Sequence, residues 1–205
     1  CGGLSRWAMG ENSKIEWCDL TYNPWIVSQK VSPGCDHCYA EAMMDHRYKK
    51  VQWGAHGERK RTSEQNWKKP IQWNAQARTF RKENGRRPRV FCASLADVFD
   101  NQVDSSWRQD LLALIRKCSN LDWLVVTKRP ENIEKMLPSD WRGGYSNVWL
   151  GTTAEDQTRF DFRWKRLKKV PAVIRFISYE PALGPVRLPS NGFWPDWLIS
   201  GGESG

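Results

Sequence analysis

No run of apolar residues in this chain approaches the ~18–20 that a membrane-spanning helix needs, and no secretion-signal pattern opens it. Both absences point to the cytoplasm, without a membrane partner. Histidine is scarce: three residues in 205, and His37, His46 and His56 lack good ligand spacing. Six cysteines are present, but only Cys35 and Cys38 are close in sequence. A second pair for a four-cysteine zinc site is missing, so zinc stays open without further ligands to support it. Three disulfides are disfavoured in a chain of this size with no secretion signal.

Tryptophan and positive charge are plentiful. Thirteen Trp exceed what a core of this size needs, and the net charge is +9. The length suits one domain with a real core, here residues 1–205 with 1–10 as an irregular tail. "MGENSKIEW" from Met9 reads as a more natural start than Cys1, and "LISGGESG" ends just after an apolar run. The expectation is a piece of a longer chain, truncated at the C-terminus.

Short apolar runs recur: "KIEW" (14–17), "RVFCAS" (89–94), "DWLVVT" (122–127), "NVWLGT" (147–152), "AVIRFIS" (172–178) and "DWLIS" (196–200). Their length and content fit buried strands. Helical patterns lie between them, at 39–50, 107–117, 131–137 and 154–169, and 182–195 reads as loop. Strand–helix alternation implies a parallel α/β fold. Each run is followed by functional-looking residues, from Cys18-Asp19 to Gly201-Gly202-Glu203. A barrel gathers all its strand ends at one mouth, whereas an open doubly wound sheet gathers them only at its switch point. The pattern favours a partial (β/α)6 TIM-like barrel.

Residues 49–89 carry thirteen Lys or Arg against three Glu. Trp53, Trp67, Trp73 and Phe80 are interleaved with that charge. The segment reads as a basic insertion after the first helix, near the mouth. Arg59, Lys60, Arg61, Trp67, Lys68, Lys69, Arg86 and Arg87 are candidates for phosphate contact and base stacking on a nucleic acid. The alternative is a solvated basic surface whose Trp residues pin the segment to the body.

The cysteine pair stands in "NPWIVSQKVSPGCDHCYAE". By itself a Cys-x2-Cys pair suits a redox, zinc or iron–sulfur site. With "VFCASLADVFD", "LDWLVVTKRPENIEKMLP", "NVWLGTTAED", "RFISYEPALGPV" and "DWLISGGESG", the stretch resembles an uncharacterised bacteriophage-associated family with a Cys-x6-Cys-x2-Cys motif. That family is in turn similar to radical S-adenosylmethionine (radical SAM) proteins. The resemblance implies a six-stranded partial barrel, a [4Fe–4S] cluster held by three thiolates, and S-adenosylmethionine on the open iron. Here Ser28 stands at the first ligand position, and Val27-Ser28 replaces the family's usual Gly-Cys. The metal candidates are therefore Cys35, Cys38 and Ser28.

The same resemblance implies cofactor-binding roles for Tyr39, Ser94, Asp97, Thr152 and Thr153. It leaves Lys128, Arg129, Glu180 and Glu203 as candidates for chemistry. For Glu155 and Asp156, capping the next helix is the simpler role. The function expected is a phage-derived radical-SAM-like iron–sulfur protein acting on an unknown, nucleic-acid- or nucleotide-type substrate in the host cytoplasm. Its alternatives are a degenerate, non-catalytic barrel that binds nucleic acid or a protein partner, and a small zinc protein.

Overall fold

In a computed structural model, residues 13, 15–35, 41, 54, 57–190 and 192–202 are described. Six parallel strands form the main sheet: β1 (Leu20–Tyr22), β4 (Arg89–Cys92), β5 (Asp122–Thr127), β6 (Val148–Thr153), β7 (Ile174–Tyr179) and β8 (Trp197–Ser200). They neighbour one another in chain order, and β1 does not pair with β8. Two short strands, β2 (Trp25–Ile26) and β3 (Lys60–Arg61), form a separate antiparallel ladder.

Helices supply four of the five crossovers; the described residues between β7 and β8 form none. α1 (Glu64–Asn84) lies between β1 and β4, and α2 (Ser105–Lys117) between β4 and β5. A turn at Pro130–Asn132 leads into the short α3 (Ile133–Met136) after β5. α4 (Gln157–Leu167) follows β6. Their ends follow local chemistry. Ser63, Asp104 and Asp156 accept backbone N–H bonds as N-caps. Gly85 closes α1 at φ 71°, a conformation glycine takes without Cβ strain.

The sheet curls. A flat sheet would separate β4 from β8 by four strand spacings, about 19 Å. Yet the Arg89 guanidinium on β4 lies 5.1 Å from the Trp197 ring on β8 and 5.0 Å from Trp149 on β6. Trp17 bridges the same gap, 4.7 Å from Phe91 and 6.5 Å from Trp197. The inward side chains of β5, β7 and β8 (Leu124, Phe176 and Ile199) form a small core of their own. Gly151 leaves room there: a Cβ would sit 2.4 Å from the Phe176 ring. The larger core lies between the outer face and the helices.

One strand differs from expectation. "KIEW" is not a strand: residues 15–17 form a turn, and β1 is Leu20–Tyr22. Its buried–half-buried–buried alternation marks a real strand, whereas the turn carries Trp17 into the concave side. Cys18 and Asp19 therefore precede β1, at the opposite end of the sheet from the mouth. There Asp19 binds Arg86 and the backbone N–H of Arg89. The segment read as an insertion contains the crossover helix itself. α1 buries Trp73, Ala77 and Phe80 as it runs from the C-terminal end of β1 to the start of β4. The expected helix at 39–50 lies, apart from Glu41, outside the described residues, as does the 1–10 tail. Among the described residues, no helix is long and apolar enough to cross a membrane.

Candidate active site

The curled sheet encloses a cavity of about 880 Å³ that runs from Trp17, Arg89 and Trp197 near the N-terminal ends of its strands to the loops at their C-terminal ends. Each connection contributes to the wall: Ser28 to Val31 and Cys35 after β1, Ser94 to Asp97 after β4, and Lys128 with Arg129 after β5. Thr153 closes β6, Ser178 and Glu180 close β7, and Gly201 with Gly202 follow β8.

The cysteine loop docks on an alternating line of charge. Glu155, fully buried, binds Arg163 at 2.9 Å through one oxygen and accepts from Ser32 Oγ at 2.7 Å through the other. Lys128 Nζ lies 3.9 Å from the same carboxylate, donates to Gly34 O at 3.1 Å and reaches Cys35 Sγ at 3.3 Å. Gly34 permits this approach, since a Cβ there would lie 2.4 Å from Glu155 Cγ. Burial opposes ionisation of Cys35. The adjacent Lys128 ammonium and backbone N–H bonds outweigh it, so the thiol pKa falls below its usual value. The other described cysteines go the opposite way: burial pushes Cys118 up to about 11 and raises Cys18 and Cys92. All four are free thiols.

Asp97 joins two walls. Its carboxylate accepts from Phe99 N, Thr127 Oγ1, Lys128 N and Arg129 Nη1 at 2.7–3.1 Å. The loop after β4 is fixed further by Arg108, which donates to Val98 O and Asp100 O, and by the buried Arg59–Asp100 pair. Ser94 accepts from Asn23 Nδ2 at 3.0 Å, and Asn23 Oδ1 accepts from Leu95 N. Thr153 lines the cavity, but Thr152 does not; its hydroxyl is buried and donates to Thr127 O. Among the described residues Glu180 takes one hydrogen bond, from Ser178 at 3.3 Å, and lies so close to Gly201 that a Cβ there would meet its Oε1 at 2.4 Å. Cys38, Tyr39 and Glu203 fall outside the described residues.

Ser28 and Cys35 share the cavity wall. Val27, beside Ser28, is fully buried at φ 83°, a left-handed conformation that favours glycine. Among the described residues, no three His, Cys, Asp or Glu side chains cluster as a metal site would require.

The basic candidates do not converge. Arg59 is buried on Asp100, and Arg61 pairs with Asp110 while stacking 4.2 Å over Trp67. Arg86 and Arg87 pair with Asp19 and Asp122 at the far end of the sheet. Lys60 lies on β3, and Lys68 and Lys69 on α1. Trp73 and Phe80 are buried and Trp67 packs against Tyr22, so these aromatics anchor α1 to the body.

Sequence reading singled out neither Asn23, Ser32, Gly34 nor Arg163, and it read Glu155 as a cap. Asp156 is the cap; Glu155 turns inward instead. An arginine eight residues beyond the glutamate, on the buried face of α4, was the available signal.

A curled six-stranded parallel sheet with helical crossovers, enclosing a cavity, defines an α/β protein. The chain belongs to the family described as "Protein of unknown function (DUF5131)", which matches residues 12–205. No curated protein and no solved structure matches the chain.

Proposed function

We propose that the chain is a radical-SAM-like protein: a partial (β/α)6 barrel that takes S-adenosylmethionine in its mouth beside an iron–sulfur loop. One observation carries the reading. A cysteine biased toward thiolate stands at the rim of the cavity, in the loop after the first of six strands laid side by side in chain order. A doubly wound sheet would reverse its strand order at a switch point; this one does not, and its curl suits a barrel.

The donor set is unusual. Cys35 offers what an iron site needs, a thiol already held toward thiolate. Ser28 faces the same cavity with a hydroxyl, a harder and weaker ligand for such iron. With Cys38, as the resemblance expects, these residues would offer a cluster two thiolates and one oxygen. Bound there, a cluster would supply the electron that cleaves a sulfonium cofactor.

The remaining roles belong to the chain itself. Lys128 holds Cys35 by its ammonium and is held in turn by Glu155. Asp97 keeps the Lys128–Arg129 turn in place. Glu180 lines the cavity, where its carboxylate would accept from an amino or hydroxyl group of the ligand. The reading goes with a reducing cytoplasm, which matches four free thiols.

Anaerobic reconstitution with iron and sulfide tests this. The expected result is a thiolate-to-iron absorption band, acid-labile sulfide and cleavage of S-adenosylmethionine, each increased in Ser28→Cys. If neither chain takes up iron nor cleaves the cofactor, the reading fails. Ser28 favours a second reading, a barrel that binds its ligand without redox chemistry. S-adenosylmethionine binding by calorimetry in the iron-free chain would support it. About one zinc per purified chain would favour the zinc alternative over both.

A further inference from the structure

Three aromatic side chains are exposed among the described residues: Phe162 (45%), Phe193 (65%) and Trp194 (56%). All three belong to one region. Phe162 lies on α4, and the loop carrying Phe193 and Trp194 is tied to that helix by Trp164 Nε1, which donates to Phe193 O at 2.9 Å. Cations accompany the rings. Arg166 lies 3.5 Å over Phe162, and Lys168 Nζ lies 5.5 Å over Phe193.

The region is also strongly basic. Residues 157–175 hold seven Lys or Arg against one acid, Asp161. Arg163 is committed to Glu155, and Arg175 to the carbonyl of Val170. Asp161 accepts from Gln157. At about 100° per residue, the solvent face of α4 and its extension presents Lys168, Lys165, Lys169 and Phe162 in succession. The Phe193 loop flanks one side of that ridge and Phe162 the other.

We propose that this face binds single-stranded nucleic acid, with the lysine ridge along the phosphates and the flanking rings stacked on bases. Exposed rings set among cations are what such binding needs, and the charge is complementary to a phosphate backbone. The basic segment at 49–89 presents no exposed ring among its described residues, because those aromatics pack against the body. A protein partner fits less well, since protein interfaces deplete lysine at their core. The proposal is independent of the cofactor reading and stands or falls without it.

Fluorescence anisotropy with a fluorescein-labelled 15-nucleotide single strand, and with its duplex, tests the idea on the chain as it is. The single strand should bind more tightly than the duplex. With about four phosphates engaged, affinity should fall roughly 50-fold between 50 and 200 mM salt. Phe162→Ala/Trp194→Ala should weaken single-strand binding ~5-fold or more. Lys165→Gln/Lys168→Gln/Lys169→Gln should lower the salt slope by about 2. Lys68→Gln/Arg78→Gln on α1 should leave both unchanged. Circular dichroism melting confirms that each variant is folded. Binding unaffected by the aromatic pair, or reduced as much by the α1 variant, overturns the proposal. So does an aromatic variant that changes only the oligomeric state, which would make the face a contact between copies.

Discussion

Gly34→Ala is the sharpest probe of how the cysteine loop is held. Gly34 has no positive φ, so its backbone would accept alanine. The obstacle is space. The new Cβ would lie 2.4 Å from Glu155 Cγ, 2.7 Å from Oε1 and 2.9 Å from Cδ. Carbon atoms rest at about 3.5–4.0 Å, so roughly 1 Å must be found. Glu155 cannot easily yield it, because moving the carboxylate breaks a buried pair with Arg163, at a cost of about 3–5 kcal/mol. The loop should move instead, pulling Gly34 O and Cys35 Sγ from Lys128. Overpacking and one lost charged hydrogen bond together cost about 2.5–6 kcal/mol, or roughly 5–24 °C in Tm for a chain of this size. Urea unfolding in a double-mutant cycle isolates the cause. In a Glu155→Ala background the Gly34→Ala penalty should largely vanish, whereas in Glu155→Gln, which keeps the shape, it should persist. An equal penalty in both backgrounds, or none in the parent, would refute the steric reasoning.

Lys128→Met should raise the Cys35 thiol pKa. Because the folded value lies below the unfolded one, the pair's stabilisation is present above the unfolded thiol pKa of ~8.5 and is lost as pH falls through the folded value. The stability gap between parent and variant should therefore widen from pH 6 to 9; a gap that stays constant in urea titrations counts against the thiolate. Arg59→Met leaves Asp100 buried and unpaired, and should cost about 3–5 kcal/mol. A normal Tm in that variant would contradict its structural role. Gly201→Ala should displace the Glu180 carboxylate, which has one hydrogen bond to lose. Stability should change by less than ~1 kcal/mol while S-adenosylmethionine binding weakens at least about fivefold; calorimetry showing unchanged affinity would remove Glu180 from the ligand site.

Five of the six strands were legible because each is a short β-branched or aromatic run between turn residues, and 122–127 matches β5 residue for residue. The first was misplaced because "KIEW" has the composition of a strand but inserts its Trp17 between the two sides of the curl. That depends on a distant strand, β8, which no local pattern reports. The mouth residues after β4 to β8 followed from strand position alone. Their roles did not. Asp97 has a binding residue's chemistry but spends its oxygens on the neighbouring loop, and Glu155 stands where a cap is expected but is drawn inward by Arg163. Interleaved charge and aromatics at 49–89 suggested a binding surface, yet a helix period turns Trp73, Ala77 and Phe80 to one buried face.

The loop around Ser28 holds a backbone conformation that its own sequence does not favour. Val27 holds φ 83° although a β-branched residue there carries a strain of about 1–2 kcal/mol. Its surroundings enforce it. Trp25 is fully buried and paired with Arg61 across the small ladder, Val27 is fully buried, and Ser28 O accepts from Gly54 N. Glycine is the natural occupant of such a position, and the resemblance expects Gly-Cys at these two residues. Were Gly-Cys the family's pair here, Val27-Ser28 would differ from it in side chains while keeping a backbone path that suits glycine. A thiol introduced at Ser28 would follow the same backbone path, beside the cavity that Cys35 borders. Val27→Gly would relieve the strain but forfeit about 1.5–3 kcal/mol of buried valine. Ser28→Cys alone is accordingly the variant expected to gain metal without losing stability.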